Sequence, residues 1–448
     1  MATKHARHCD FLSVPWMFGA NYFLLFGLTA IDAIFDLGRS SIRARDVFIS
    51  FHGVSALALA YVWLGYCMFL LGYYLPGGRV IANLIPKGFP FISRRSSFVS
   101  QRRFSICIML LFSLTFPLMI SHVQRFGVGG RIAGTEEFDP ISSYNFAGDV
   151  SFIVYSLGVW QFMLSRRRGA DKVPRGYTLF VWGCMFALET IFAIWIGSRT
   201  HVVRVLLVAV LAYHYGHRRI RGRVVLVGAL VLIAFVVPLL ALPRGGLTGG
   251  SPAPDSLQSV VAWGWDSIMK HYSSLESFTV TFERLDSAPQ PDSLRMIILG
   301  GLVPRAIWPD KPFSTWGYEF SYWVTGYATD AYVATLPGEL LLHFGYIGAL
   351  IAMMVLGILW RTAFTALIRS ENRPCRLGFI YIVLLSQALP QMEVGFVGPS
   401  SALLRTTVIS LLVFFVVSTG RFTLTRMPAN EAHHSTRPVR GPLRKSDR

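Results

Sequence analysis

Long apolar stretches alternate with short segments rich in arginine and lysine along the whole chain, residues 1–448. A helix needs about 20 apolar residues to cross the hydrocarbon core of a bilayer, and apolar runs near that length recur here. The pattern predicts an all-α polytopic membrane protein, one integral membrane domain with about 10 transmembrane helices in a range of about 10–12. The predicted spans are residues 14–35, 48–75, 104–123, 150–164, 177–196, 201–216, 224–243, 335–360, 377–393 and 403–420.

The arginine-rich loops fall on one side of these predicted spans. Short loops rich in lysine and arginine face the cytoplasm in helical membrane proteins, so both termini are predicted to be cytoplasmic. The basic tail at residues 421–448 belongs to this side and is predicted to be disordered. One loop departs from the rule, because Arg39, Arg43 and Arg45 lie on the predicted outer side. Either the first span is misread or these arginines bind an anion.

A long polar segment at residues 244–334 lies on the opposite, outer side. It starts with a linker rich in glycine, serine and proline at residues 245–254, and an amphipathic, helix-like stretch follows at residues 255–285. Loops longer than about 15 residues are usually functional or disordered. Because this one is rich in aromatic residues, we expect a functional cap of short helices that lies on the membrane surface.

Composition excludes several classes of protein. Charged residues make up 15% of the chain, whereas a soluble globule carries about 25%. The net charge of +18 is concentrated in the loops of one side, so membrane topology explains it and no nucleic-acid partner is expected. The five cysteines include no C-x-x-C pair, so neither a zinc site nor a disulfide framework is predicted.

Motifs for nucleotides and metals are also lacking. The chain has neither a Walker A sequence nor a G-x-G-x-x-G sequence, so neither ATP nor NAD is expected and no cofactor is predicted. Glu137 and Asp139 form a lone E-x-D in an outer loop, which is weak support for a bound divalent cation. No metal site is therefore predicted.

A polar turn at residues 197–201, Gly-Ser-Arg-Thr-His, separates two apolar helices. Glu189 lies in the preceding helix and Arg204 in the following one, so an antiparallel hairpin brings them to a similar depth. Ionisable residues inside a membrane are costly and are usually functional or paired. Two interpretations are open: a buried ion pair that holds the hairpin, or a polar cavity in which Arg199 and Arg204 face a diphosphate.

Prolines bracket two cations in the segment from Pro304 to Pro312, which reads Pro-Arg-Ala-Ile-Trp-Pro-Asp-Lys-Pro. Proline stiffens a loop by fixing φ at about −65°, so Arg305 and Lys311 are predicted to be held beside the membrane. A guanidinium binds phosphate through two parallel hydrogen bonds and an ammonium acts as a point charge, and the two together suit a diphosphate. The alternative is an interfacial anchor for ordinary lipid headgroups.

Glu339 and His343 are candidates for proton transfer. Their i, i+4 spacing places both on one face of a helix, near the outer end of a span. A carboxylate or a neutral imidazole can accept a hydroxyl proton, and Glu339 is the first choice for this role, His343 the second and Glu189 the third. Alternatively, Glu339 complements a helix dipole and His343 is a polar residue of the interface.

Aromatic residues are concentrated in the same outer segment, where they are candidates for stacking on sugar rings. An aromatic belt at the membrane interface is the alternative explanation. The sugar-stacking candidates are Trp308, Trp316, Tyr318 and Trp323.

Three of these places resemble the bacterial O-antigen polymerases, the Wzy-type oligosaccharide repeat-unit polymerases. They are the Gly-Ser-Arg199 turn, the loop from Pro304 to Pro312, and the Pro-Gly-Glu339 helix start with its following Phe344-Gly345. Their order and the large outer loop before the last spans are also similar. The resemblance covers the architecture of most of the chain, whereas specific residues match only between about 190 and 350.

The resemblance implies a fold similar to that of the membrane-embedded class C glycosyltransferases. It implies an enzyme that moves a growing glycan from undecaprenyl diphosphate onto the non-reducing end of a new repeat unit, at the outer face of the bacterial inner membrane. The sugar–diphosphate bond supplies the energy, so the reaction needs no nucleotide. The implied partners are the undecaprenyl-diphosphate-linked oligosaccharide, membrane lipids and a chain-length regulator protein.

Together with this implied activity, the charged residues described above give a hypothesis for the mechanism. Arg305 would neutralise charge on the departing diphosphate in catalysis, beside Glu339 or His343 as the base. The diphosphate-binding residues would be Arg199, Arg204, Arg305 and Lys311. Some members have a glycine ten residues after an outer-loop arginine, whereas here Gly317 follows Arg305 with eleven residues between them and Arg199 has no glycine at that distance. The role of that motif is therefore open.

Other functions are open as well. An O-antigen ligase has a similar build and the same lipid donor, but it joins finished polymer to the lipid A core. A transporter or flippase moves the lipid-linked oligosaccharide without chemistry, and many such proteins are built from internal repeats, which this sequence does not show. A polymerase of another surface polysaccharide would differ only in its sugar substrate.

Overall fold

The part of the chain that the structure describes is helical throughout. This structure is a computed structural model, and it describes residues 10–35, 55–84, 101–126, 142–167, 175–195, 199–231, 274–288, 320, 322–324, 334–368, 377–392 and 395–418. These residues form α-helices, two π-helical turns and one 3-10 turn, without a β-strand among them. The predicted all-α class is confirmed for the described residues.

Helices lie in the described part of every predicted span. The first half of the chain contains α1 (Val14–Tyr22), α2 (Leu28–Phe35), α3 (Ala56–Tyr74), α4 (Gly77–Leu84), α5 (Gln101–Phe126), α6 (Ser142–Arg167) and α7 (Arg175–Trp195). The second half contains α8 (Arg199–Ala212), α9 (Gly222–Val231), α10 (Ser274–Glu283), α11 (Thr335–Leu367), α12 (Gly378–Gln391) and α13 (Val397–Ser418). A π-helical turn at Phe23–Gly27 joins α1 to α2, and another at Tyr213–His217 extends α8.

Within the described residues, four helical segments are long and apolar enough to cross a membrane. Shorter apolar helices accompany them at Ser105–Pro117, Gly148–Leu164 and Gly378–Leu389. Together they indicate an α-helical membrane protein, because a water-soluble helix carries a polar face along its length. The four long segments are Val14–Ile31, Ala56–Tyr74, Thr335–Leu367 and Pro399–Val417.

The helices α3 and α11 run parallel to each other. Tyr61, near the start of α3, donates its hydroxyl hydrogen to the carbonyl oxygen of Tyr346 in the first half of α11. Gly78, just after the end of α3, lies against the side chain of Arg361 near the end of α11. Two parallel helices that both span a membrane enter it from the same side, so a topology in which α3 and α11 are spans requires an odd number of crossings between them.

A pair of glycines brings these two helices into backbone contact. A Cβ atom on Gly357 would meet the carbonyl oxygen of Phe69, and a Cβ atom on Gly72 would meet the carbonyl oxygen of Met354. Small residues at helix interfaces allow close approach in membranes, where association depends on van der Waals packing. The reciprocal glycines therefore set the distance between α3 and α11.

A break at Gly345 divides α11 into two pieces. Gly345 has φ 66° and ψ −176°, which no helical residue adopts. The piece before the break packs on α10 and on the end of α12, where the N–H of Leu336 donates to the Met392 carbonyl oxygen at 3.1 Å. The predicted single span at residues 335–360 is thus a short buried helix followed by a longer one.

Several chain segments meet at one end of the helical bundle, which we call the Asp10 end. His214 Nε2, in the π-helical turn that extends α8, lies 3.0 Å from Asp10 Oδ1. The ring of the adjacent Tyr215 contacts Phe364 near the end of α11 and Tyr381 near the start of α12. The segment before α1 is therefore held against the α8 extension, which in turn contacts the end of α11 and the start of α12.

The end of α3 belongs to the Asp10 end as well. The guanidinium carbon of Arg361 lies 5.2 Å from the centre of the Tyr73 ring, and the hydroxyl of Thr362 donates to the Gly78 carbonyl oxygen at 3.2 Å. A cation over an aromatic face is attracted by the electron density of the ring. These contacts fix α3 to the last turns of α11.

Some predicted features lie outside the described residues, namely the linker at 245–254, the tail at 421–448 and the arginines at 39–45. Within the predicted cap at residues 244–334, the structure describes α10, a 3-10 turn at Leu285–Ser287 and four residues between 320 and 324. The predicted domain boundaries stay predictions.

Candidate functional site

Glu189, Ser151 and His201 form a buried polar cluster where α6, α7 and α8 meet. Glu189 lies in the last two turns of α7, and His201 is the third residue of α8, so the two helices form an antiparallel hairpin. The carboxylate of Glu189 accepts a hydrogen bond from the Ser151 hydroxyl through Oε1, and its Oε2 lies 3.0 Å from His201 Nε2. The carboxylate is thus held by a neighbouring helix on each side.

Arg204 lies beside this cluster, one turn after His201 on α8. Its guanidinium carbon is 4.5 Å from the centre of the Phe152 ring, and the centre of the same ring is 5.6 Å from that of the His201 imidazole. The ring face attracts the cation. Phe152 therefore contacts both the guanidinium of Arg204 and the imidazole of His201.

Burial differs between the two members of the carboxylate–imidazole pair. The Glu189 side chain is 0% exposed, whereas that of His201 is 11% exposed, so the imidazole is nearer to the protein surface. A buried carboxylate is tolerated only when it is hydrogen-bonded or paired, and here Ser151 and His201 do this. The hydroxyl of Tyr155 also donates to the Val205 carbonyl oxygen at 3.2 Å, which ties α6 to α8 beside the cluster.

An ion pair joins α13 to α6 close to the cluster. Arg405 places Nε and one terminal nitrogen 2.8 Å from Oδ2 of Asp149, which precedes Ser151 by two residues. Both side chains are partly exposed, and ion pairs of this kind contribute about 0–1 kcal/mol. We therefore infer that this ion pair positions α13 on α6 and contributes little to the stability of the protein.

Glu339, the first choice for a catalytic base, makes a backbone contact at the start of α13. Its Oε2 accepts a hydrogen bond from the N–H of Phe396, the residue before α13. The side chain is buried, and Gly395 has φ 122° directly against the carboxylate. This geometry matches the alternative interpretation, in which the carboxylate complements a helix N-terminus.

His343 and Trp323 lie close to this region. His343 follows Glu339 by one turn, before the break at Gly345, and it is half-buried. Trp323 is also half-buried, and its ring centre lies 5.6 Å from that of Phe320 in a small apolar cluster beside α10 and the start of α11. The stacking of Trp323 on a sugar stays a prediction.

Most of the other predicted site residues fall outside the described part of the structure. Arg199 begins α8, so its backbone lies beside the polar cluster, but its side chain is not among the described ones. The predicted diphosphate site of Arg199, Arg204, Arg305 and Lys311 therefore stays a prediction. The residues outside the described ranges are Glu137, Asp139, Arg305, Trp308, Lys311, Trp316 and Tyr318.

The sequence-based prediction did not include Ser151, Phe152 or Arg405, and it named His201 only as part of a turn. A serine or a phenylalanine in an apolar helix gives no signal of its own, because both are common there. The cost of burying Glu189 did indicate that it needs partners. Which side chains supply them depends on how α6, α7 and α8 pack, and this is not a local property of the sequence.

Comparison with known proteins identifies no relative: no family model, no curated protein and no solved structure matches this chain.

Proposed function

We propose that this protein polymerises undecaprenyl-diphosphate-linked oligosaccharide repeat units into a surface polysaccharide at the outer face of a bacterial inner membrane. It would act as a nucleotide-independent glycosyltransferase that moves the growing chain from its lipid diphosphate onto the next repeat unit. The finer parts of the predicted fold, about 10 transmembrane helices and a class C glycosyltransferase architecture, belong to this proposal.

The cluster at the α7–α8 turn is the observation that carries the proposal. A carboxylate, an imidazole and a guanidinium are gathered there between apolar helices, at Glu189, His201 and Arg204. Such groups are expensive inside a membrane and mark functional sites more often than not. A cation beside groups that exchange protons suits the transfer of a sugar from an anionic leaving group to a hydroxyl.

The packing of the helix ends supports the topology that the proposal needs. The arginine-rich loops assign the N-terminal segment, the ends of α3, α8 and α11 and the start of α12 to the cytoplasmic side. These five places lie together at the Asp10 end. With this orientation, the turn between α7 and α8 and the long segment at 244–334 are on the outer side, where flipped repeat units arrive.

The arginines would act mainly on the leaving group. The bond between the anomeric carbon and the diphosphate oxygen breaks, and negative charge develops on the diphosphate as it leaves. Preorganised donors aimed at developing charge are often the largest catalytic contribution, about 10²–10³ in rate for one donor. Arg199, Arg204, Arg305 and Lys311 are the proposed donors.

Deleting the gene in its native host tests the proposed activity. A polymerase mutant leaves a lipid A core that bears a single repeat unit, visible as one band in place of a ladder on a gel of surface glycans. Bare core would indicate an O-antigen ligase instead. For the purified protein in liposomes, movement of the lipid-linked oligosaccharide without any lengthening would indicate a flippase.

Arg305→Ala is expected to stop chain growth while the protein still accumulates in the membrane. Loss of this cation should lower the polymerisation rate by about 10²–10³, because the departing diphosphate loses a donor. The length of surface glycan is measured by gel in the deletion strain that carries the variant. Arg223→Ala, an exposed arginine at the start of α9, is the matched control and should keep the full ladder. A full ladder from the Arg305 variant would remove this residue from the mechanism.

A further inference from the structure

We infer that His201 accepts the proton of the acceptor hydroxyl and that Glu189 positions it for this task. The inference rests on the proposed polymerase function and adds to it a specific acid–base pair. It replaces Glu339 as the first choice of base, because the carboxylate of Glu339 already accepts the N–H of Phe396 at the start of α13.

The hydrogen bonds of Glu189 determine which nitrogen of His201 takes the proton. An ionised carboxylate has acceptors only. The Ser151 hydroxyl donates to Oε1, and His201 Nε2, 3.0 Å from Oε2, then donates to the other oxygen. A neutral imidazole that donates from Nε2 carries its lone pair on Nδ1, so the proton enters at Nδ1.

The two members of the pair differ in burial, so only the imidazole is near the protein surface. The carboxylate is fully enclosed between helices, and the imidazole lies in front of it, nearer to the surface. A carboxylate behind an imidazole holds the ring in one tautomer and stabilises the imidazolium that forms when a proton arrives. Ser151 contributes by fixing the orientation of the carboxylate.

Phe152 links this pair to Arg204, the cation that is proposed to bind the leaving group. The rings of Phe152 and His201 are in contact, and Arg204 lies over the same Phe152 ring. His201 and Arg204 are three residues apart on α8, which places them on neighbouring positions of one helix face. The proposed base and the proposed diphosphate-binding cation therefore lie on the same turn of α8.

The proposed step balances without any further reactant. The O–H bond of the acceptor sugar breaks, its proton passes to Nδ1 of His201, and its oxygen forms a bond to the anomeric carbon of the donor. The bond between that carbon and the diphosphate oxygen breaks, and its electron pair leaves with the lipid diphosphate. The imidazolium then gives its proton to the lipid diphosphate, which restores the neutral ring.

The pH dependence of the initial rate tests the inference. The purified protein in proteoliposomes is supplied with lipid-linked oligosaccharides extracted from the membranes of the native host, and polymer is measured on gels across pH 5–8. A base must be neutral to act, so the wild-type rate should fall toward acid. His201→Gln keeps an N–H near the Nε2 position but has no basic nitrogen, so the rate should drop by about 10²–10⁴ and the acidic decline should disappear.

Two further variants separate the pair from a general loss of packing. Glu189→Gln removes the carboxylate that orients the His201 ring through Nε2, so the rate should fall and the pH profile should differ from that of the wild type. His214→Gln is the matched control, because His214 is also a buried histidine paired with a carboxylate on the same helical run, but at the Asp10 end. It should stay within about threefold of the wild-type rate, with the same pH profile.

The possible failures point to different conclusions. If the wild-type protein makes no polymer from the extracted lipids, the proposed function fails. If the wild type polymerises and His201→Gln keeps both its rate and its acidic decline, the polymerase stands and the acid–base inference is overturned. Should His201→Gln not be recovered folded, Glu189→Gln and the milder Ser151→Ala decide the matter, and an unchanged acidic decline in both overturns the inference.

Discussion

At the scale of single residues, Glu339 shows how a buried carboxylate can be explained by its backbone partner. The first N–H groups of a helix lack partners within the helix, and a negative charge there also complements the helix dipole. Glu339 accepts the N–H of Phe396, immediately before α13. This contact links residues 57 positions apart and explains the burial of the charge without a substrate.

Gly395 is required beside this carboxylate for two separate reasons. Its φ of 122° is unfavourable for any residue with a side chain, and a Cβ atom would also meet Oε2 of Glu339. We expect Gly395→Ala to lower the free energy of unfolding by at least about 2 kcal/mol, from backbone strain and a displaced hydrogen bond. Thermal unfolding of the purified protein in detergent measures the change.

Gly345→Ala is the matched control for this prediction. Gly345 also has a positive φ, 66°, but a Cβ atom there would meet nothing within 4 Å. Only backbone strain of about 1–3 kcal/mol applies, because φ 66° with ψ −176° is a conformation that almost only glycine adopts, so the drop in melting temperature should be smaller than for Gly395→Ala. Equal losses in the two variants would contradict the role assigned to the Glu339 contact.

At the scale of secondary-structure elements, the break at Gly345 divides α11 into a piece long enough to cross a membrane and a short piece that packs on other parts of the protein. The piece at residues 346–367 has about 22 residues and a length of ~33 Å, enough to cross the hydrocarbon by itself. The piece at residues 335–344 is therefore not needed for crossing. It can carry polar side chains such as Glu339 and His343 against other protein segments.

The glycine contact between α3 and α11 predicts the effect of a single methyl group. Gly357→Ala would push a Cβ atom against the carbonyl oxygen of Phe69, and a backbone atom cannot swing away as a side chain can. We expect a loss of about 1–3 kcal/mol in stability, as for other overpacked sites. The melting temperature of the purified variant measures it.

Gly228→Ala on α9 provides the comparison for this change. A Cβ atom on Gly228 would meet nothing within 4 Å, so alanine should leave stability equal or slightly raised through its better helix propensity, by up to about 1 kcal/mol. If Gly357→Ala proves as harmless as Gly228→Ala, the two helices are not in backbone contact.

At the scale of the whole molecule, the contacts at the Asp10 end bring together places that lie far apart in the chain. Asp10 and His214 are separated by 204 positions, and Tyr215 contacts residues of both α11 and α12. Because each helix end has its own partners there, the relative direction of α3, α8, α11 and α12 follows from the structure. The absolute orientation stays a prediction, made from the arginine-rich loops.

Reporter fusions test this orientation directly. A fluorescent protein fused after Arg448 should fluoresce, because the tail is predicted to be cytoplasmic, and alkaline phosphatase fused there should be inactive. Alkaline phosphatase inserted in the linker at residues 245–254 should be active, since that segment is predicted to be outside. The opposite pattern at both sites would invert the topology and place the α7–α8 turn on the cytoplasmic side, away from flipped repeat units.

Much of the fold could be predicted from the sequence because the length of an apolar run is a local property. The helices α6 and α8 appear where short spans at 150–164 and 201–216 were predicted, and the polar turn between α7 and α8 does join an antiparallel hairpin. The break at Gly345 was missed, since a glycine between apolar residues is compatible with an unbroken helix. The preceding piece packs on α10 and on Met392 at the end of α12, and these contacts are not visible in the sequence.

The sequence by itself determined that this chain is helical, suited to a membrane and polar at a few costly positions, because hydropathy and charge act over neighbouring residues. Only the tertiary structure decided the partners at those positions. It pairs Glu189 with Ser151 and His201, sets Arg204 on Phe152, and places Glu339 against Phe396. Hydrogen bonds and ring contacts reach only a few ångströms, so they depend on which helices the fold brings together.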